Sequence, residues 1–313
     1  MRIVKCFVML AVLILASDAF AVHAIDTKDI RKQDMMSFDV SLQGGYLDGE
    51  SREIVYDPDD GGRTLSELNW DLKDIPMAGA AFSVKVAEKV RFNGGFWLGL
   101  SEGSGEMTDY DWMVDGMDWT DYSRGDVNVE NALIMDVNVS ILLKRAGAIS
   151  LDVLAGMKVS TYEWEDLGGE YIYSVNSFRD SEGTFQEGEV GIEYEQLFAI
   201  PYFGFMGAYH ADALDVSVYL LGSFFGVASD EDYHVMRDLH FEEEFVSVPY
   251  VGAGITASWT FGGRYYISGG IEYEQIPETT GDMYVEELDG TSEDAAGISH
   301  ESMMVKAAVG MML

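Results

Sequence analysis

Cysteine is almost absent from this chain of 313 residues; Cys6 is the only one. One thiol excludes an intrachain disulfide and any zinc or redox centre built on cysteine. Positive charge is also scarce, with 19 basic residues against 55 acidic ones and a net charge of -36. Phosphate backbones need basic patches, so nucleic acid is excluded as a partner. The same field favours cationic partners. No G-x-S-x-G elbow, P-loop or dinucleotide fingerprint occurs, and His234 and His240 lack the spacing of a zinc-protease helix. Asp57, Asp59 and Asp60 begin like a calcium loop, but no Glu stands at the twelfth position.

The chain opens with Arg2 and Lys5, an apolar run from Cys6 to Ala16, and a small-residue stretch ending at Ala21 or Ala24. That pattern predicts a secretory signal peptide over residues 1–24, cleaved after Ala21 or Ala24. Cys6 would leave with it. The apolar run is too short to span a bilayer, and no later segment holds 18 apolar residues in a row.

What is abundant is alternation. Leu133, Met135, Val137, Val139 and Ile141 alternate with Asp136, Asn138 and Ser140. Tyr265, Ile267, Gly269, Ile271 and Tyr273 alternate with Ser268, Gly270, Glu272 and Glu274. Val305, Ala307, Val309, Met311 and Leu313 close the chain. Successive strand residues point to opposite faces. Similar runs near 38–48, 65–86, 90–101, 150–165, 188–209, 214–229 and 246–261 bring the total to about ten strands. Acidic, Gly-rich stretches such as 57–62 and 289–297 read as loops between them. Long alternating strands, an export signal and 17 Tyr, 16 Phe and 6 Trp predict an all-β, ten-stranded antiparallel transmembrane β-barrel. Lipid offers no hydrogen bonds, so a sheet that spans it must close. A secreted β-sandwich also alternates. The charges at Glu272, Glu274 and Lys306, placed on the inward face, favour the barrel.

Two constellations carry possible chemistry. In GEMTDYDWM (105–113), Asp109 and Asp111 sit one residue apart. On extended chain they share a face, where two carboxylates resist ionising together and can hold a water. In ASDEDYHV (228–235), Asp230, Asp232 and His234 also share a face. An aspartate beside an imidazole is the usual arrangement of a general base. Alone, each pattern is also what a solvated acidic loop looks like.

Together the two clusters resemble the omptins, outer-membrane proteases of Gram-negative bacteria. The likeness runs from Phe38 to the end. It includes E-x-V-Y from Glu53 to Tyr56, G-G-R at 61–63, L-x-W at 68–70 and M-x-D-x-D-W-M at 107–113. It continues through W-T-D-x-S at 119–123, G-G-x-Y-I-Y-S at 168–174, F-R-D at 178–180 and S-D-x-D-x-H at 229–234.

The resemblance implies one barrel protease domain over 25–313, in the bacterial outer membrane, with strands extended beyond the bilayer and a groove facing outward. It places the catalytic groups at Asp109, Asp111, Asp232 and His234. It implies aspartyl-type cleavage of cationic peptides or proteins beside Arg or Lys, preferably between two basic residues. Glu53 and Asp230 would floor the first pocket, and Asp121 would face the residue after the cut. No cofactor is implied beyond a lipopolysaccharide requirement. Where the family clamps lipid phosphates, this chain has Met157, Val159, Thr161 and Leu197, which cannot do so. Arg124-Gly125-Asp126 also departs from the family's basic pattern. The rival is a catalytically inactive barrel acting as adhesin or receptor. A passive porin ranks last, because so few strands leave an interior filled by side chains. Nothing in the sequence sets the oligomeric state.

Overall fold

The structure is a computed structural model and describes residues 37–100, 103–186 and 188–313. The expected leader, with Cys6, lies outside the described residues. Twelve strand segments follow: β1 (Ser37–Asp57), β2 (Arg63–Ala87), β3 (Val90–Gly99), β4 (Gly103–Asp111), β5 (Asp121–Ala146), β6 (Ile149–Tyr173), β7 (Ser181–Thr184), β8 (Ile192–Ala211), β9 (Leu214–His234), β10 (Leu239–Phe261), β11 (Tyr265–Val285) and β12 (Gly290–Met312).

All pairings are antiparallel, and β1 bonds to β12 from Asp39↔Met312 to Val55↔Ala296, which closes the ring. β3 and β4 both lie between β2 and β5, one on the lower half and one on the upper. They share one place in the ring. β7 pairs only with β6, at its outer end. Among the described residues, closure leaves no free edge in the membrane zone, which lipid requires.

The alternation reads out as two faces. Leu42 is 73% exposed and Val309 is 61% exposed, and Phe203, Phe205, Leu220, Ile255, Ile267 and Ile271 are exposed with them. Such a band is satisfied by lipid rather than water. Trp259, Phe261 and Tyr265 are exposed beside the turn at 262–264. Phe224 and Phe225 mark the other rim. Strands of up to 26 residues exceed the roughly 9–11 residues that cross a bilayer. Their outer halves therefore stand above it.

Inward residues pair with one another, across the bore or between neighbouring strands. Lys158 binds Glu274, and Lys306 binds Glu272. Tyr219 Oη donates to Glu272 at 2.5 Å, and Tyr202 Oη donates to Asp136 at 2.8 Å. Above this network lies an aromatic layer. Trp70 stacks on Tyr194 at 5.0 Å, Trp164 on Tyr194 at 5.6 Å, and Tyr162 on His300 at 4.8 Å. Tyr162, Trp164 and Tyr194 belong with Trp70 to the buried core.

One expected loop is strand. Residues 290–297 begin β12, with Ala295 and Ala296 buried. Their Gly and acidic composition hides two small side chains that let β12 lie against β1 and β11. The stretch at 57–62 is a turn, as expected. Asp57 Oδ1 accepts from the Asp59 and Asp60 amides at 3.1 and 3.2 Å, and Arg63 ties Asp60 down at 3.0 Å.

Candidate active site

At the outer end, β9 and β10 form a hairpin whose turn is Val235–Arg237. His234 is the last residue of β9, and its Nε2 lies 2.8 Å from Asp232 Oδ2. Asp232 is buried beneath it. This contact makes Nε2 the protonated nitrogen and leaves Nδ1 as the basic one. The Arg237 guanidinium lies against Nδ1, and Phe241 meets the imidazole edge-on at 5.6 Å.

Asp109 and Asp111 close β4. Asp109 sits opposite Leu68 of β2 and Ser123 of β5, and its Oδ1 accepts from Ser66 Oγ at 3.1 Å. Burial pushes the Asp109 carboxyl well above its usual range, and the Asp111 and Asp232 charges push it further. Burial likewise pushes Asp111 up to about 6, against the opposing pull of Ser66, Arg237 and His234. The two strand ends thus face one another across the bore, with the carboxylate pair on one side and the His–Asp pair on the other.

Asp121 sits opposite Asp111 at the start of β5. Its Oδ1 accepts from the Ser174 amide at 2.9 Å. The intervening segment 112–120 is folded back by two bonds to the Asp111 carbonyl, from the Thr120 amide at 2.6 Å and from Thr120 Oγ1 at 3.1 Å. Arg179 stacks on Trp119 at 3.2 Å and donates to its carbonyl at 2.6 Å. These contacts join W-T-D at 119–121 and F-R-D at 178–180 into one rim.

Below the groove lies a cluster of buried acids. Glu53 on β1 and Asp230 on β9 are 2% and 3% exposed. Burial raises Glu53 well above its usual range, with Asp232, Asp230 and Asp109 adding to the shift. Asp230 is raised to about 7, chiefly by burial. Tyr194 Oη donates to Asp230 Oδ2 at 2.9 Å and receives Gln196 Nε2 at 2.7 Å. Glu53 Oε2, Asp230 Oδ1 and Asp232 Oδ1 are buried without a hydrogen-bond partner.

The structure therefore gathers Glu53, Asp109, Asp111, Asp121, Asp230, Asp232 and His234 at one end. The other histidines among the described residues lie apart from the groove. His240 stacks on Tyr233, His210 binds Asp215, and His300 sits in the aromatic layer. Met157, Val159 and Thr161 lie on β6, and Leu197 is opposite Thr161 on β8. None carries a positive charge. Arg124 pairs with Glu106 and Glu170. An apolar cavity between Leu42, Trp259 and Val309 is far from these acids and carries no charged group.

Three groups at the site were missed in the sequence. Tyr173 lies close enough to Asp109 for that charge, after burial, to help raise its hydroxyl to about 12. Arg237 and Glu243 are the others. The spacing of Arg237, three residues beyond His234 across a tight turn, was the available signal for it.

The sequence profile of the Omptin family matches residues 32–312. The plasminogen activator of Yersinia pestis is 31% identical over 280 residues, covering 87% of this chain and 88% of that protein. The outer membrane protease IcsP of Shigella flexneri is 30% identical over 300 residues, 93% of this chain and 94% of that protein. The crystal structure of the outer membrane protease OmpT from Escherichia coli superposes with a TM-score of 0.83 at 24% identity, over 88% of this chain and 97% of that one. With a closed ring of strands, a lipid-facing band and these relatives, the chain belongs to the omptin family, the β-barrel proteases of the bacterial outer membrane.

Proposed function

We propose that the protein is an endopeptidase that hydrolyses peptide bonds beside basic residues without a covalent intermediate. The observation that carries this reading is the 2.8 Å contact of His234 with Asp232, set across the groove from Asp109 and Asp111. A water held between His234 and Asp109 loses a proton to Nδ1 as its oxygen attacks the scissile carbonyl. Asp232 steadies the imidazolium that forms. The tetrahedral intermediate collapses when that proton passes to the leaving amine. Asp111 supports Asp109 and helps to place the water. Arg237, whose guanidinium lies against Nδ1, gives way as the peptide enters.

Glu53 and Asp230 receive the basic side chain before the cut, and Asp121 faces the residue after it. Buried carboxylates bind guanidinium through charge-assisted hydrogen bonds. The surplus of acid draws cationic peptides toward the mouth. Met157, Val159, Thr161 and Leu197 offer lipopolysaccharide phosphates no charge, so cleavage is expected without that lipid unless another surface binds it.

The test is cleavage of a quenched fluorescent peptide with a central Arg-Arg bond by refolded protein, with and without lipopolysaccharide. Equal cleavage in both conditions, lost in His234→Ala, is expected. A folded barrel that leaves the peptide intact in both conditions would refute the protease assignment for basic sites and favour a receptor or adhesin.

A further inference from the structure

The acidic pocket has a third carboxyl that neither the motifs nor the resemblance assigned. Glu243 lies on β10, directly opposite Asp230 of β9. Within the run Glu242-Glu243-Glu244, alternation turns the middle residue inward with Phe245. Glu243 is 1% exposed; its carboxyl meets that of Asp230, and no donor group of the protein serves its two oxygens. With Glu53 Oε2 and Asp230 Oδ1, four unpartnered oxygens converge from three strands.

Such groups are costly to bury unless something answers them. Elsewhere in this barrel the protein supplies the answer itself, as Lys158 does for Glu274. Here the protein supplies Tyr194 to one Asp230 oxygen and offers the others only neighbouring carboxyls. The complement must come from outside. Its donor count is informative: a guanidinium presents five N–H donors in a planar fork, and an ammonium three at a point. Four oxygens on three sides suit the fork.

Charge imposes a second condition. Three carboxylates around one cation leave excess negative charge in a site walled by Trp70, Trp164 and Tyr194. The pocket therefore holds protons when empty. Burial raises Glu243 well above its usual range, and Asp230 and Glu53 raise it further. Asp109, Glu231, Asp232 and Tyr194 are the other titratable groups that face this set.

We propose that Glu243 is a third ligand of the incoming basic side chain, and that the pocket takes up a guanidinium in exchange for a proton released to solvent. This inference rests on the reading of the site as one that accepts basic residues. The consequence is selection of Arg over Lys, strengthening as pH rises.

Two measurements test it on the full barrel, with folding checked by heat-modifiable electrophoretic mobility. The first compares kcat/KM for matched peptides with a single Arg or a single Lys at the cut, from about pH 5 to about pH 8. In Glu243→Gln, which keeps the shape, the Arg peptide is expected to lose about tenfold, mostly in KM. The Lys peptide loses less, and Glu243→Asp recovers part of the difference. The second is calorimetric titration of His234→Ala with the Arg peptide in two buffers of different ionisation enthalpy. Net proton release near neutral pH, abolished by adding Glu243→Gln, is the expected result. Cleavage by the wild type with an unchanged Arg/Lys ratio in Glu243→Gln, or binding without proton release, would make Glu243 a structural acid only. Failure of wild-type cleavage with intact proton-coupled binding would instead overturn the protease mechanism and leave the pocket standing.

Discussion

Two sets of buried carboxyls occupy the same barrel at different heights. In the membrane zone, Glu272 and Glu274 of β11 meet Lys306 and Lys158, and Asp136 meets Tyr202 and Asn138. At the outer end, Glu53, Asp230, Asp232 and Glu243 keep oxygens with no partner. The upper set is the more deeply buried, with Glu272 and Asp136 only half-buried below, but depth is not the difference that bears on function. Satisfaction does. The lower set is closed within the chain, and the upper set is completed by something that binds.

The largest expected effect breaks the upper set at its reacting end. His234→Ala, or Asp109→Asn, should lower kcat/KM by about 10²–10⁴-fold while the folded barrel keeps its electrophoretic mobility. A comparable cleavage rate in the variant would end the water-activation mechanism.

Next comes the lower set. Lys158→Met strands Glu274 without its partner, which should cost about 3–5 kcal/mol, read as a lower urea midpoint in detergent micelles. The upper set should answer in the opposite direction. A carboxyl with a raised folded-state value binds its proton more tightly folded than unfolded. Stability of the empty barrel therefore falls as pH rises past the unfolded value of about 4 and through the Asp230 value of about 7. Asp230→Asn removes that loss and should raise stability at neutral pH by about 1–3 kcal/mol. Destabilisation by Asp230→Asn would erase the distinction between the two sets.

The smallest effect concerns the acid limb of activity. Asp111 must be ionised to support Asp109, so kcat should climb with pH through about 6. The Arg237 charge helps to hold Asp111 down. Arg237→Gln should move the limb upward by less than about one unit. A pH profile that does not move would show that Arg237 leaves Asp111 unaffected.

The membrane half was legible because one face meets lipid and the other meets polar partners, which writes a period of two into 133–141, 265–273 and 305–313. Above the bilayer both faces meet water or the groove, and that contrast is lost. The start of β12 at Gly290 therefore read as a loop. The division of one ring position between β3 and β4 was equally invisible. In the site, Asp109 with Asp111 and Asp232 with His234 were readable because spacing within one strand fixes a shared face. Glu243 was not, because 242–244 reads as a solvated charge run. Only the pairing of Glu243 with Asp230, set by a hairpin register, turns one of those three acids into the pocket.

The aromatic layer beneath the pocket has an electrical consequence. Trp70, Trp164, Tyr162 and His300 are packed ring against ring across the bore, and buried Leu72 and Ile75 belong to the same core. Among the described residues, these side chains fill the bore at this level. Inserted into a planar bilayer the protein should carry no ionic current, and a cell can crowd its surface with copies without leaking solutes or admitting toxic ones.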